Sequence, residues 1–265
     1  MKRAVVLLAL LTAAQDPKPA PTVAPLYEKY LDIRAGLDPC WATDQGIHEY
    51  DDRLTQHIDL IRDVAIATVV IYLEELKKLD PAKLSVDERL DAALWRAQLE
   101  TELYDYKRRD ERKIMPGIPL SAIYAVHSQL IKDFAPLEKR ATQALSRLRQ
   151  LPEVFADFRK LLDKPPKVWT EMAIDDASGS VEAIDEFVKL MKPGLKGRDA
   201  EDLAGVAKGA KDAVSSYVDF LKNEVLPRST APFAAGKDSY EFYLKRYHLL
   251  DMDSVALLAL GHREW

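Results

Sequence analysis

Ile58-Asp59-Leu60-Ile61-Arg62-Asp63-Val64-Ala65-Ile66-Ala67-Thr68-Val69-Val70-Ile71-Tyr72-Leu73-Glu74-Glu75-Leu76-Lys77-Lys78-Leu79 is the stretch that decides the fold. Within it, Ile58, Ile61, Ala65, Val69, Tyr72, Leu76 and Leu79 recur at steps of three or four. That places one apolar stripe down a helix of about six turns. The β-branched run Thr68–Ile71 would suit a strand. The uninterrupted length, without Gly or Pro, favours the helix.

The same period continues outward. Asp80-Pro81 ends this helix, and Ser85-Val86-Asp87-Glu88 has the serine-to-glutamate spacing of a capping box. The helix that follows is expected to reach about Arg109, with Leu90, Leu94, Ala97 and Leu103 on its inner side. Pro116-Gly117-Ile118-Pro119 reads as a loop. Ser121–Phe134, Leu137–Gln150 and Glu153–Asp163 read as three helices separated by Pro136 and Pro152, and Pro165-Pro166 breaks the pattern again. Val168–Asp176 reads as a helix, and Ser178-Gly179-Ser180 as a turn and cap. Val181, Ile184, Phe187, Val188 and Met191 mark the next helix. Leu203, Val206, Ala210, Val214, Tyr217, Leu221 and Val225 mark a long one. Asp238 and Glu241 repeat the capping-box spacing before Tyr240–Tyr247. No segment shows sustained strand alternation or hairpin turn chemistry, and no repeat of fixed period occurs. The sequence therefore predicts an all-α chain of about ten helices in one irregular helical domain.

The 265 residues suffice for a buried core, and 48% hydrophobic with 31% charged residues excludes both a disordered chain and a membrane bundle. The first residues have the three parts of a secretory leader: Lys2-Arg3, the short apolar core Ala4–Leu11, and the small residues Thr12-Ala13-Ala14. Such a core is too short for a permanent bilayer span, which needs about 20 residues. The division expected is a cleaved signal peptide over 1–14, a Pro-rich linker over 15–25 and a helical domain over 26–265, with a secreted or periplasmic destination. Loss of Lys2 and Arg3 takes the net charge from −5 to −7. An acidic chain of this kind speaks against nucleic acid as a partner and against stable membrane insertion. The single cysteine, Cys40, excludes an intrachain disulfide and cysteine-rich zinc sites; it reads as a partly buried free thiol beside Trp41.

Catalytic patterns are sparse. Of His48, His57, His127, His248 and His262, no two are four apart, so there is no His-Glu-x-x-His helix face. His48-Glu49-Tyr50-Asp51-Asp52 begins like that motif and ends in aspartate; His48 and Asp52 alone make a weak ligand pair. No Gly-x-Ser-x-Gly elbow occurs, and Gly194-Leu195-Lys196-Gly197 is too short for a phosphate loop. Glu171 and Asp175 are four apart after Trp169, which suits a paired-acid site and equally any solvated helix face. Tyr240, Tyr243 and Tyr247 stand at helical spacing, as a packed stripe or as a cleft edge. No catalytic residue and no metal ligand is assigned within this chain.

Three passages in order carry a family resemblance. They are Ala42–Leu54, then Arg147–Pro152 continuing through Pro165–Ala173, then Gly236–Met252 with Gly261 after it. Together they resemble the N-terminal half of the bacterial proteins catalogued as domain of unknown function 885. The resemblance implies an all-helical, two-lobed protein of about twice this length, often secreted and related to zinc-dependent peptidases. It also implies that the His-Glu metal motif lies in the other half, so zinc is implied for the full-length family and no cofactor for this chain. The last thirty residues read as the middle of a domain rather than a tail. The chain is accordingly expected to be the scaffold and cleft-wall half of a peptidase-like protein, inactive alone, meeting a peptide-like substrate only when completed. The alternative is a complete secreted helical binding protein with no catalysis. Residues expected to face the cleft are His48, Glu49, Tyr50 and Asp51, then Trp169 and Glu171, then Tyr240 and Tyr247. The competing expectation is that these residues make interhelix hydrogen bonds and packing.

Overall fold

The computed structural model describes residues 22–265, so the leader expected over 1–14 and most of the linker lie outside the described residues. Ten α-helices follow: α1 (Val23–Leu37), α2 (Pro39–Asp44), α3 (Asp59–Lys77), α4 (Val86–Arg108), α5 (Ser121–Ile131), α6 (Leu137–Leu161), α7 (Lys167–Met191), α8 (Gly197–Phe220), α9 (Lys237–Arg246) and α10 (Ser254–Glu264). No strand occurs among the described residues. The linker expected to reach residue 25 gives way to helix at Val23. Pro25 fits because it lies in the first turn, where its missing N–H has no intrahelical partner.

Several boundaries follow the sequence signals. The α3 stripe is oriented as expected, with Val69, Tyr72, Leu76 and Leu79 buried. Asp80 accepts a hydrogen bond from the Ala82 amide as the chain leaves α3. Ser85 and Glu88 close both arms of the capping box at 3.1 and 2.9 Å. Pro166 ends the gap before α7.

Other expectations are corrected. Pro152 does not divide a helix: α6 is continuous. A central proline costs about 3 kcal/mol in a helix. Here Leu148, Leu151, Phe155 and Phe158 lock one face into the core, while Pro152 itself faces solvent. Ser178-Gly179-Ser180 is not a turn either; α7 runs through it. Both serine hydroxyls bond back one turn, Ser178 to the Ile174 carbonyl at 2.7 Å and Ser180 to the Asp176 carbonyl at 2.8 Å. Buried Ala177 and Ile184 hold the helix face on either side. On α4 the inner side is Trp95, Leu99 and Thr101, whereas Leu90 and Leu94 are 58% and 55% exposed. The aromatic residues decide this rotation, because Trp95 packs among Tyr27, Tyr30 and Tyr72 with ring centroids 5.1, 5.5 and 5.8 Å away. Asp238 makes no cap for α9, which starts after Gly236 at φ +86°. Glu241 instead accepts from the Ser254 hydroxyl at 2.7 Å and ties α9 to the start of α10. Gly261 lies inside α10.

Two buried clusters hold these helices. The larger joins α5, α6, α7 and α8, with Leu145, Leu148, Phe155, Phe158, Ile184, Val214 and Tyr217 at its centre. Gly194 lets the α7–α8 connection press against α6, since a Cβ there would stand 2.8 Å from the Leu137 carbonyl oxygen. The smaller cluster joins α1, α3 and α4 around Tyr30, Val69, Tyr72, Leu76, Trp95 and Leu99. At its end α8 widens into a π-turn over Leu221–Val225 and tightens into a 3₁₀ turn over Leu226–Arg228. Ser229 follows, bonding the Val225 carbonyl at 2.9 Å and the buried Thr170 hydroxyl at 2.8 Å. The helix α9 packs on α4, and α10 packs on α9 without burying any residue.

Candidate functional site

A cavity of about 390 Å³ opens in the seam between the two clusters. Tyr30, Arg34 and Leu37 reach it from the end of α1, and Ile61, Arg62, Ala65, Thr68 and Val69 from the first half of α3. Glu102, Asp105 and Tyr106 come from the end of α4, Arg109, Asp110, Glu111 and Arg112 from the segment after it, and Gln56, His57 and Ile58 from the approach to α3. The C-terminal ends of two helices therefore face one hollow. The carbonyls at those ends favour the arginines gathered there, against the opposing dipole of the α3 N-terminus.

Most wall charges are matched internally. Glu102 accepts from the Tyr30 hydroxyl at 2.9 Å and stands 3.6 Å from the Arg34 guanidinium. Burial and Glu102 push Tyr106 up to about 12 and raise Tyr30 further, so both phenols stay protonated. Asp110 receives Arg112 through two bonds of 2.8 and 2.7 Å, which hold its carboxyl below the usual range. Arg112 also donates to Asp59 at 2.7 Å and to the His57 carbonyl at 2.8 Å, stitching the loop to the start of α3. Arg62 donates to the Tyr106 carbonyl and lies 3.9 Å from Asp110. Asp105 accepts from the Tyr243 hydroxyl, which brings α9 to the rim.

Four wall groups have no hydrogen-bond or ion-pair partner among the described residues: the Gln56 amide, the His57 ring, the Arg109 guanidinium and the Glu111 carboxylate. Burial lowers the His57 pKa, so its ring is neutral at pH 7 and edge-on to Phe158 at 5.7 Å. Arg109 lies over the Trp169 ring, 5.3 Å from its centroid. Glu111 is raised by burial against the wall and by Asp105, although its outer edge meets solvent. Such a wall can recognise a polar, charged head while Leu37, Ile58, Ile61, Ala65 and Val69 receive an apolar body.

The residues expected from sequence to face a cleft lie elsewhere, at three places. His48, Glu49 and Tyr50 form a 3₁₀ turn, with Asp51 directly after it. The His48 Nδ1 atom is 2.9 Å from the fully buried Asp51 carboxylate, and the His48 ring stacks on Phe134 at 3.9 Å. Thr43 bonds the other Asp51 oxygen at 2.6 Å. Arg147, also fully buried, donates to Thr43, to the Pro39 carbonyl at 3.2 Å and to the Ala125 carbonyl at 3.0 Å. Burial lowers its pKa. Here His48 and Asp51 bind α2 to α5 and α6. Trp169 touches the cavity only through Arg109, and Glu171 pairs with Lys167 at 3.6 Å on the outer face of α7. Tyr240 and Tyr247 are 49% and 63% exposed on α9. None of these residues lines the cavity. Sequence reasoning missed His57, Arg109 and Glu111. The usable signal was the charge run Arg108-Arg109-Asp110-Glu111-Arg112-Lys113, placed directly after a helix end.

Cys40 is a half-buried free thiol whose sulfur accepts from the Thr55 amide at 3.4 Å. Among the described residues no three His, Cys, Asp or Glu side chains are grouped as a metal ion requires, so these side chains do not fit the zinc that the family resemblance implies.

The model of the family described as bacterial protein of unknown function, DUF885, matches residues 39–265. Among solved structures, a Shewanella oneidensis chain described as a "putative lipoprotein of unknown function" superposes with a TM-score of 0.84 at 22% identity. The match covers 92% of this chain and 46% of that one, so this chain spans about half the length of that neighbour. At that identity the likeness establishes the fold alone. No curated protein matches.

Proposed function

Because this chain belongs to the bacterial DUF885 family, we propose that it is the scaffold and one cleft wall of an extracytoplasmic, zinc-dependent peptidase-like protein, with the metal ligands supplied from outside the described residues. The observation that carries this reading is the seam cavity, whose His57, Arg109 and Glu111 are left unpartnered beside an apolar floor. A wall with spare polar groups beside an apolar floor can hold and orient a substrate. The half-length coverage of the Shewanella chain agrees with a second lobe, and that chain's description agrees with a location outside the cytoplasm. The positively charged, apolar start of the sequence supports the same location. No helix among the described residues is long and apolar enough to cross a membrane.

The test uses two proteins, this chain and a family member containing both halves. The two-half protein should hydrolyse short peptides, lose that activity to a chelator and regain it with zinc. This chain alone should do neither. Zinc-dependent hydrolysis by this chain alone would overturn its role as a wall, and a zinc-loaded two-half protein inert toward every peptide would overturn the peptidase reading. In that second case the cavity favours the other reading, a secreted helical binding protein.

A further inference from the structure

The backbone at the mouth of the cavity places a cation and an anion side by side without letting them cancel. Arg109 (φ −153°, ψ 125°) and Asp110 (φ −79°, ψ 96°) are extended. In extended chain, alternate side chains share a side and lie about 6–7 Å apart at Cα. Asp110 is taken up by Arg112, while Arg109 and Glu111 both line the cavity. They form no ion pair with each other: Arg109 lies over Trp169, and its charge only partly offsets what raises Glu111. The guanidinium keeps its donors free and the carboxylate keeps its acceptors free. Behind them lies the apolar floor of Ile61, Ala65 and Val69.

We propose that this mouth binds a small apolar zwitterion, with the ligand carboxylate on Arg109, its ammonium on Glu111 and its hydrocarbon side chain on the α3 floor. The arrangement is selective by charge geometry. A ligand with only one of the two groups leaves either the Arg109 guanidinium or the Glu111 carboxylate without a partner at the mouth. A free amino acid and a dipeptide share this chemistry and differ in the separation of their charges. The cavity volume admits either. The proposal rests on the reading of the cavity as a ligand wall, and not on hydrolysis.

Isothermal titration of the purified chain with L-leucine, leucyl-leucine, leucinamide and N-acetyl-leucine tests it. Leucine or leucyl-leucine should bind at millimolar concentration or below, and the tighter of the two identifies the charge separation. Leucinamide, lacking the carboxylate, and N-acetyl-leucine, lacking the ammonium, should each bind about tenfold or more weakly, the loss expected for one charge-assisted hydrogen bond. Arg109→Ala should weaken leucine and leave leucinamide unchanged; Glu111→Gln should weaken leucine and leave N-acetyl-leucine unchanged. Ala65→Phe, which fills the floor and keeps both charges, should weaken all four. Circular dichroism and thermal melting verify that each variant is folded; neither Arg109 nor Glu111 makes a hydrogen bond whose loss would unfold the chain. Absence of binding by both zwitterions, or equal binding of all four compounds, would falsify the proposal. If it fails while the two-half protein still hydrolyses peptides, the peptidase reading stands and only the zwitterion clamp is lost.

Discussion

His57 shows how one side chain can register the state of the seam. Its ring faces Asp38, which favours the protonated form, and Arg112, which opposes it, and burial dominates both. The folded pKa therefore lies below the ordinary value of 6.5. The unfolded chain takes up the proton first as pH falls, so this contribution to stability is complete above 6.5. It is lost as pH drops from there toward the folded pKa, and levels off below it. Glu111, raised by burial and by Asp105, acts with the opposite sign, since protonation favours its folded state. Comparison of His57→Gln with the parent removes the Glu111 effect, which is common to both. Urea unfolding at pH 7 and pH 5 should show the parent losing more stability than the variant. Equal losses would mean that His57 is not desolvated in solution. The ring was visible in the sequence only as one of five histidines, because the groups that shift it come from Asp38, just after α1, and from the segment after α4.

At the scale of the helix, the two interrupted patterns make opposite forecasts for glycine. Gly179 lies on the exposed face of α7 with open space where a methyl group would stand, so Gly179→Ala should raise stability by about 0.5–1 kcal/mol through helix propensity. Gly194 stands where a Cβ would meet the Leu137 carbonyl oxygen at 2.8 Å and the Ala141 methyl at 3.0 Å. Gly194→Ala should destabilise by about 1–3 kcal/mol, as overpacking does, because backbone must move. Thermal melts of the two variants should shift in opposite directions; a shared direction would refute one of the two contacts. Elements with long periodic faces, such as α3 and α8, were legible in sequence because burial and period agree. The breaks at Pro152 and Gly179 were misread for one reason. A local breaker signal carries no information about the tertiary face that overrides it, here Phe155 and Phe158 in one helix and Ala177 and Ile184 in the other. The inner side of α4 was misread because Leu90 and Leu94 compete with Trp95, and only the partners Tyr30 and Tyr72 decide between them.

For the whole molecule, burial is distributed unevenly. The α5–α8 cluster holds most of the fully buried side chains, while α10 buries none and packs on α9. Hydrogen exchange should therefore be slow in α6 and α8, requiring global unfolding, and fast through Ser254–Glu264, requiring only local opening. Similar protection in α10 and α6 would show that α10 has a partner in solution. The candidate site follows the same logic of scale. Its apolar floor belongs to a stripe that sequence identified, Ile58, Ile61, Ala65 and Val69. Its polar rim joins residues more than fifty positions apart, such as His57 and Arg112, and no spacing rule connects them.

The π-turn at Leu221–Val225 has a consequence for how this chain tolerates changes in length. Its widened ring holds one residue more than a regular turn would need. Deleting one residue there would let α8 continue without interruption, and the helix would accept the loss readily. Because the widened turn already absorbs the extra residue, everything downstream would keep nearly the same facing. Ser229 would stay beside Thr170, and the lead into α9 would keep the rim that Tyr243 fastens through Asp105. The same deletion made in the regular part of α8 would instead rotate everything downstream by about 100° and unfasten the far end of the molecule.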